Sequence, residues 1–297
     1  MGRTATETAT RRPISRNPAN RRFSKGRAHP IQLLEQAKKG LSRLARGDRE
    51  FHGSGENGRA EHLQVVTETQ THHTVTGKQL TRRNIEAAIG RATMPVRFID
   101  CDLEGVDLSE LDLSTFEFER CSLVKTDLRS TKAVGTRWIG CRARQAMTMA
   151  MNLDDAHIVG GDWNNVDWSG CKMSSIRFSD AKLTGGDFKE TRSLGATFTG
   201  CLMQSCDLRG LSFRKMALGR CDMSRANLCE VDMRGASFDE GSSLADAIII
   251  GTRFQDADLR NANLGGHGVA SLAVFAGARI SMAQAVEMVA ASGVKVG

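Results

Sequence analysis

Large apolar residues recur at every fifth position through the middle of the chain, from Phe98 to Phe238, without a slip in register. Of these 29 positions, 25 are large and apolar, and all three Trp residues fall on them. The exceptions are Ala133, Ala143, Thr148 and Ser193. An α-helix repeats at about 3.6 residues and a β-strand at about 2.0, so a period of five fits neither. The pattern predicts a coil that turns a corner every five residues, with one side chain of each edge pointing inward.

One extra residue enters the repeat within residues 239–243, and the phase then resumes at Leu244 and runs to Leu264. A second inward position lies two residues before each large one and is mostly small. Seven of the eight Cys residues occupy this small position: Cys101, Cys121, Cys141, Cys171, Cys201, Cys206 and Cys221. The residue between the two inward positions is often Asp or Asn, whose side chains are typical of tight turns.

Blocks such as Ala226-Asn227-Leu228 and Ala262-Asn263-Leu264 carry a family resemblance. Residues 96–264 resemble the pentapeptide-repeat family, whose motif is A(D/N)LXX. The resemblance implies an all-β solenoid, a right-handed quadrilateral β-helix with four pentapeptides in each coil, so that residues 20 apart stack. Because each coil of a solenoid packs only on its neighbours, the two ends need caps. One stacked column is then a core ladder rich in aromatic rings: Phe98, Phe118, Trp138, Phe178, Phe198 and Phe238.

The cysteines admit two interpretations, a metal or redox array and a small apolar filler of a narrow core. The filler is favoured, because the chain has no CxxC pair and successive column members come from different coils. We therefore expect no metal site and no cofactor. Eight Cys residues without a pairing pattern favour a reducing compartment such as the cytoplasm. Cys229 departs from the pattern and is expected to face solvent.

The first 30 residues form a predicted disordered basic arm, with eight basic residues and one acid, Glu7. Such an arm is suited to contact with an anionic membrane or nucleic acid. The opening residues also match the acylation pattern for Gly2, which would anchor the chain to a membrane. A basic, acid-poor start further resembles the export signals of bacterial type III effectors, which implies translocation into a host cell.

Two flanking regions complete the predicted domain organisation. Residues 31–95 are predicted to be helical and extended, with a linker near 48–60 and a helix over 80–92 that leads into the first coil. Residues 265–297 form a predicted C-terminal cap with a helix over 281–292, which begins at a capping box formed by Ser281 and Gln284. This helix either closes the rod or pairs two rods into a homodimer.

No catalytic constellation, phosphate loop or zinc signature is present in the sequence. We therefore expect a non-enzymatic scaffold that binds a protein partner rather than a small-molecule substrate, with a bacterial effector as its most specific form. The resemblance offers an alternative, because some members of the family mimic duplex DNA and bind DNA gyrase. A structural or assembly protein is the third hypothesis.

DNA mimicry requires a strongly acidic surface. The candidate acidic residues near the first coils are Asp102, Asp107, Asp112, Glu117 and Glu119. Residues 96–264 as a whole carry 21 basic and 25 acidic side chains, a net charge of only −4. This weak charge favours the scaffold over the DNA mimic.

Overall fold

The computed structural model describes residues 73–297, which wind into a parallel β-solenoid of about eight coils. Residues 20 apart pair in register, as in Phe98 with Phe118 and Phe118 with Trp138. The solenoid predicted from the period of five is therefore confirmed. The predicted basic arm, the acylation site at Gly2 and the linker near 48–60 lie outside the described residues.

The strands are short, since each edge of the coil holds only one pentapeptide. They are β1 (His73–Thr76), β2 (Val96–Ile99), β3 (Glu117–Glu119), β4 (Arg137–Ile139), β5 (His157–Val159), β6 (Arg177–Ser179), β7 (Thr197–Thr199), β8 (Ala217–Leu218) and β9 (Ser237–Phe238). Strands β1 to β7 form one parallel sheet, and β8 and β9 form a second. Single bridges join the coils along the other three edges, at a spacing of 20 residues, or of 21 across the extra residue.

We number the coils from residue 96, so that coil 1 spans 96–115 and each later coil begins 20 residues on. The four faces are numbered by the inward residue that each contributes to coil 1. Face 1 contains Phe98, face 2 Leu103, face 3 Leu108 and face 4 Leu113, and all four side chains are fully buried.

The Asp or Asn of each pentapeptide stabilises the corner that follows it. In Asp107, Oδ1 accepts a hydrogen bond of 2.9 Å from the backbone N–H of Ser109. The same bond recurs from Arg129 to Asp127 and from Ser169 to Asp167. The chain then turns at a residue in the left-handed region, such as Glu110 with φ 63°. Side chain and corner together explain the preference for Asp and Asn at this position.

Stacked rings fill the core behind face 1. The ring centroids of Phe98 and Phe118 lie 5.1 Å apart, and those of Phe118 and Trp138 lie 4.3 Å apart. Ile158 interrupts the column, and stacking resumes between Phe178 and Phe198 at 4.9 Å. Phe238 is also buried, further along the same column.

A glycine makes room for a large indole on face 2. Gly161 occupies the small inward position next to the buried Trp163, with φ 85°. A Cβ atom at Gly161 would lie 2.3 Å from the carbonyl oxygen of Cys141 and 3.1 Å from Nε1 of Trp163. Since real Cβ atoms do not approach so closely, only glycine fits here.

Helices flank the solenoid at both ends. Near the first coil, α1 (Arg82–Arg91) is capped by Thr81 and buries Ile85. After the last coil, α2 (Met282–Ala291) begins at the capping residue Ser281. Within residues 73–297 no helix is both long and apolar enough to cross a membrane.

The C-terminal helix is tied directly to the end of the solenoid. Nε2 of Gln284 donates hydrogen bonds to the carbonyl oxygens of Leu259, at 2.7 Å, and Ala262, at 2.6 Å. These carbonyls would otherwise lack a following coil as partner. The helix therefore closes the rod, while Met282 on its outer side is 81 % exposed.

Candidate protein-binding faces

The five acidic residues singled out from the sequence do not form one surface. Asp102 lies on face 2, Asp107 on face 3 and Asp112 on face 4, while Glu117 and Glu119 lie on face 1. These candidate acidic residues are spread over four faces, because successive pentapeptides turn a corner and point in different directions.

Two of these acids belong to an ion-pair cluster on face 1. Glu117 is only 8 % exposed and lies between Arg97, at 2.8 Å, and Arg137, at 3.1 Å. Glu119 contacts Arg97 and also Arg120 of its own coil. Arginine side chains from three successive coils thus neutralise both carboxylates, which leaves little free negative charge at this position.

Acidic residues do converge on face 3, in one column along the rod. Asp107 pairs in register with Asp127, and Asp167 with Asp187 and Asp207. Successive carboxylates are therefore separated by about 4.8 Å, the spacing of neighbouring strands. Three glutamates stand at the corners that end this face: Glu110, Glu190 and Glu230.

Face 3 differs from the other faces in its charge. Face 3 itself carries eight carboxylates and only three basic side chains, Arg129, Lys189 and Arg209, while Arg82 of α1 also pairs with Asp107 at 3.2 Å. On each of the other three faces the numbers of acidic and basic residues differ by at most two. The net charge of −4 over residues 96–264 is thus an average over one acidic face and three nearly balanced ones.

Arginine side chains hydrogen-bond to two of the carboxylates of face 3. Arg129 donates from Nε and Nη2 to Asp127, at 3.0 and 2.6 Å. Arg209 donates to Asp207 from the same two atoms, Nε and Nη2, at 2.9 and 2.7 Å. These guanidinium groups hold the pKa of each Asp below its ordinary value. Among the described residues, Asp167 has no cationic partner, and its side chain accepts a hydrogen bond from the backbone of Ser169.

Exposed apolar side chains interrupt the acidic column. Met147 and Met149 take the outward positions of face 3 in coil 3 and are 42 % and 48 % exposed. Ile248 and Ile250 do so in coil 8, at 48 % and 72 %. Face 3 thus holds four of the seven exposed large apolar side chains of residues 96–264. Apolar groups beside ionised groups are typical of protein-binding surfaces.

The seven inward cysteines are buried in the structure, and their thiols hydrogen-bond to backbone carbonyls. Sγ of Cys141 donates to the carbonyl of Phe118 at 3.2 Å. Burial raises the pKa of Cys171, Cys201 and Cys206 to about 12. Since the thiolate is both the metal ligand and the nucleophile, these side chains act as core filler.

Three further observations concern ligand sites in residues 73–297. Cys229 is half-buried on face 3. No three His, Cys, Asp or Glu side chains of the described residues come together in a way that could hold a metal ion. A cavity of about 450 Å³ beside α1 is lined mostly by apolar side chains, including Val75, Leu80 and Met94.

The repeats themselves match a family model. Eight copies of "Pentapeptide repeats" match within residues 97–132, 176–214, 206–242 and 240–266. The chain belongs to the pentapeptide-repeat family. The family predicted from the sequence is thereby confirmed.

Solved structures of pentapeptide-repeat proteins are among those similar to this chain. HetL, involved in heterocyst differentiation regulation in the cyanobacterium Nostoc sp. strain PCC 7120, is 17% identical over 67% of this chain and 94% of HetL, with a TM-score of 0.47. QnrB1, a plasmid-mediated fluoroquinolone resistance protein, is 16% identical over 75% of this chain and 97% of QnrB1, with a TM-score of 0.46. None of the curated proteins matches this chain.

The acidic column of this pentapeptide-repeat chain could have been found in the sequence, but only by comparing several coils and not the first ones alone. Asp107, Asp127, Asp167, Asp187 and Asp207 are related by multiples of 20 residues. Grouping the Asp residues by this spacing, instead of by nearness along the chain, would have placed them on one face.

Proposed function

We propose that this protein is a non-enzymatic scaffold that binds a protein partner through face 3. The observation that carries the proposal is the in-register column of Asp side chains, interrupted by the exposed Met147, Met149, Ile248 and Ile250. A partner that fits this surface has a row of Lys or Arg side chains flanked by apolar ones, since complementary charge sets the register of an interface.

A catalytic role for the same carboxylates is disfavoured by their arrangement. They are spread along the rod at a spacing of about 4.8 Å instead of converging on one point. Catalytic acids usually have a raised pKa, whereas the pKa of Asp127 and of Asp207 is lowered by an arginine.

The targeting part of the proposal concerns residues 1–30, whose basic, acid-poor composition suits delivery of the scaffold to a host cell or to an anionic membrane. The eight cysteines are free, which supports a scaffold that functions in a reducing compartment such as the cytoplasm.

Charge reversal on face 3 tests the scaffold. We expect Asp167→Lys with Asp187→Lys to abolish capture of the partner by the full chain, measured by cross-linking and mass spectrometry. The matched control, Asp102→Lys with Asp246→Lys, makes the same change of charge on face 2 and should retain the partner. Equal capture by both double variants would contradict the use of face 3.

DNA mimicry with binding to DNA gyrase is the second candidate, and the column of Asp side chains is the observation that favours it. Duplex DNA carries one charge per roughly 1.7 Å of its axis, while face 3 offers five Asp residues over eight coils that are each roughly 4.8 Å apart. Arg129, Lys189 and Arg209 neutralise part of that charge. The match to DNA is therefore weaker than the match to a basic protein surface.

A supercoiling and relaxation assay with purified DNA gyrase separates the two candidates. Inhibition by the full chain that disappears in the Asp167→Lys, Asp187→Lys variant would establish the mimic. Absence of any effect at micromolar protein would remove it and leave the scaffold.

A further inference from the structure

The backbone ladder of face 4 is interrupted at one place. Between coils 4 and 5, the N–H of Met173 donates to the carbonyl of Arg192 at 2.7 Å. Between coils 6 and 7, the N–H of Phe213 donates to the carbonyl of Asp232 at 2.9 Å. Between coils 5 and 6 no such bond or bridge joins residues 191–195 to residues 211–215.

The interruption continues around the next corner, since the main sheet of face 1 ends at β7 and a new sheet begins at β8. We call the interruption on face 4 the seam. Within residues 73–297, no acceptor takes a hydrogen bond from the N–H groups of Ser193, Gly195 and Ser212 at the seam. A backbone N–H without a partner in the protein is satisfied by water or by a ligand.

The local sequence explains why the seam opens. Ser193 holds the central inward position of its pentapeptide and is only half-buried, while every other such position from Phe98 to Leu264 is buried. The following residue, Leu194, is 86 % exposed. The usual order of apolar and polar residues is thus inverted. Since a serine contributes little hydrophobic burial, this edge is not drawn into the core.

Four exposed basic side chains flank the seam: Lys172, Arg192, Arg214 and Lys215. None of them lies within 4.0 Å of a carboxylate of the described residues, whereas Arg209 and Arg234 each pair with the Asp two residues earlier. Lys172 and Arg192 also lie directly opposite each other on the neighbouring coils 4 and 5. Like charges in that position destabilise a sheet, so the patch carries uncompensated positive charge.

We propose that the seam binds an extended acidic segment of a protein partner. The free backbone donors suit the carbonyl groups of such a segment, and the Arg192 and Arg214 guanidinium groups suit its carboxylates. Leu194 offers an apolar contact between them. The proposal rests on the scaffold function above and assigns it a second contact surface of opposite charge to face 3.

The observations favour a peptide over a nucleic acid. Glu190 and Glu230 stand at the corner that face 4 shares with face 3, so a long polyanion would meet negative charge beside the seam. A charged nucleic-acid backbone also gains no apolar contact from the exposed Leu194. The patch spans only coils 4 to 6, which suits a short segment.

Hydrogen exchange followed by mass spectrometry tests the site in the full chain, with a synthetic peptide of alternating Glu and Leu as the probe. We expect residues 191–195 and 211–215 to exchange faster than residues 171–175 in the free protein. The peptide should then protect both fast segments. Because the readout is local, peptide bound to the basic residues 1–30 does not interfere with it.

Arg192→Gln with Arg214→Gln should weaken the protection so that about tenfold more peptide is needed. Arg129→Gln with Arg209→Gln, the matched control on face 3, should leave it unchanged. Three results would overturn the proposal: slow exchange of the seam in the free protein, no protection by the peptide, or equal protection by a DNA duplex. The Asp167→Lys, Asp187→Lys variant should still protect its seam, so loss of the seam site and loss of face 3 are distinguishable.

Discussion

On face 4, two successive junctions between coils have the same backbone donors and acceptors, but only one of them is closed by hydrogen bonds. Between coils 4 and 5 the ladder is closed, and the central residue of coil 4, Met173, is fully buried. Between coils 5 and 6 the ladder is open, and the central residue of coil 5 is the half-buried Ser193. On face 4 the open ladder thus coincides with a poorly filled core position, since both junctions have the same backbone donors and acceptors.

The largest expected effect contrasts a closed junction with the seam. Trp138→Ala removes a fully buried indole that stacks on Phe118 and should lower the free energy of unfolding by about 3–5 kcal/mol. Ser193→Ala should change it by less than about 0.5 kcal/mol. Chemical denaturation followed by circular dichroism measures both, and similar losses would break the comparison.

Restoring the usual residue order should close the seam. Ser193→Leu with Leu194→Ser moves the exposed leucine inward and should stabilise the fold by about 1.5–3 kcal/mol. Leu194→Ser alone, the control, should leave stability nearly unchanged because Leu194 is 86 % exposed. The double variant should also slow hydrogen exchange at residues 191–195. A double variant less stable than the wild type would mean that the core has no space for the leucine.

Glycine substitutions probe how tightly the two regions are packed. Gly161→Ala places a Cβ atom 2.3 Å from the carbonyl oxygen of Cys141 and should cost about 1–3 kcal/mol in thermal or chemical unfolding. Gly195→Ala at the seam meets nothing nearer than Ser175 Oγ, at 3.6 Å. We expect a smaller loss there, limited to the left-handed backbone, of about 1 kcal/mol. A larger loss at Gly195 would indicate a tightly closed seam.

The smallest expected effect is a pH dependence of stability, which we expect only where a basic side chain pairs with a carboxylate. Arg234 lowers the pKa of Asp232 to about 2. Because this lies below the ordinary value of 3.8, the pair stabilises the fold above about pH 4, and the contribution is lost as the pH falls toward 2. Asp232→Asn should flatten stability between pH 4 and pH 2, measured by thermal melting. Arg214→Gln at the seam should leave the slope unchanged, and a slope altered by that variant would place a carboxylate beside Arg214.

The period of five was sufficient to predict the solenoid and the inward columns, because a strict repeat places every pentapeptide in the same environment. The family resemblance, which implies four pentapeptides in each coil, placed Phe98 and Phe118 in one stacked column. It did not reveal that Glu117 is buried, since Arg97 and Arg137 belong to neighbouring coils and meet it only through stacking. Ser193 was visible as an exception, but an open ladder is a property of two coils and not of one residue.

The extra residue near Phe238 shows where the length of this chain can vary. It is absorbed at the corner formed by residues 239–241, after which Ser242 takes the next inward position and its Oγ donates to the carbonyl of Leu218 at 2.7 Å. Ser243 then pairs in register with Asp222, as if nothing had been inserted. Such a corner is a suitable place for grafted loops or epitope tags. Insertions there would add residues to the surface without changing the register of the coils on either side.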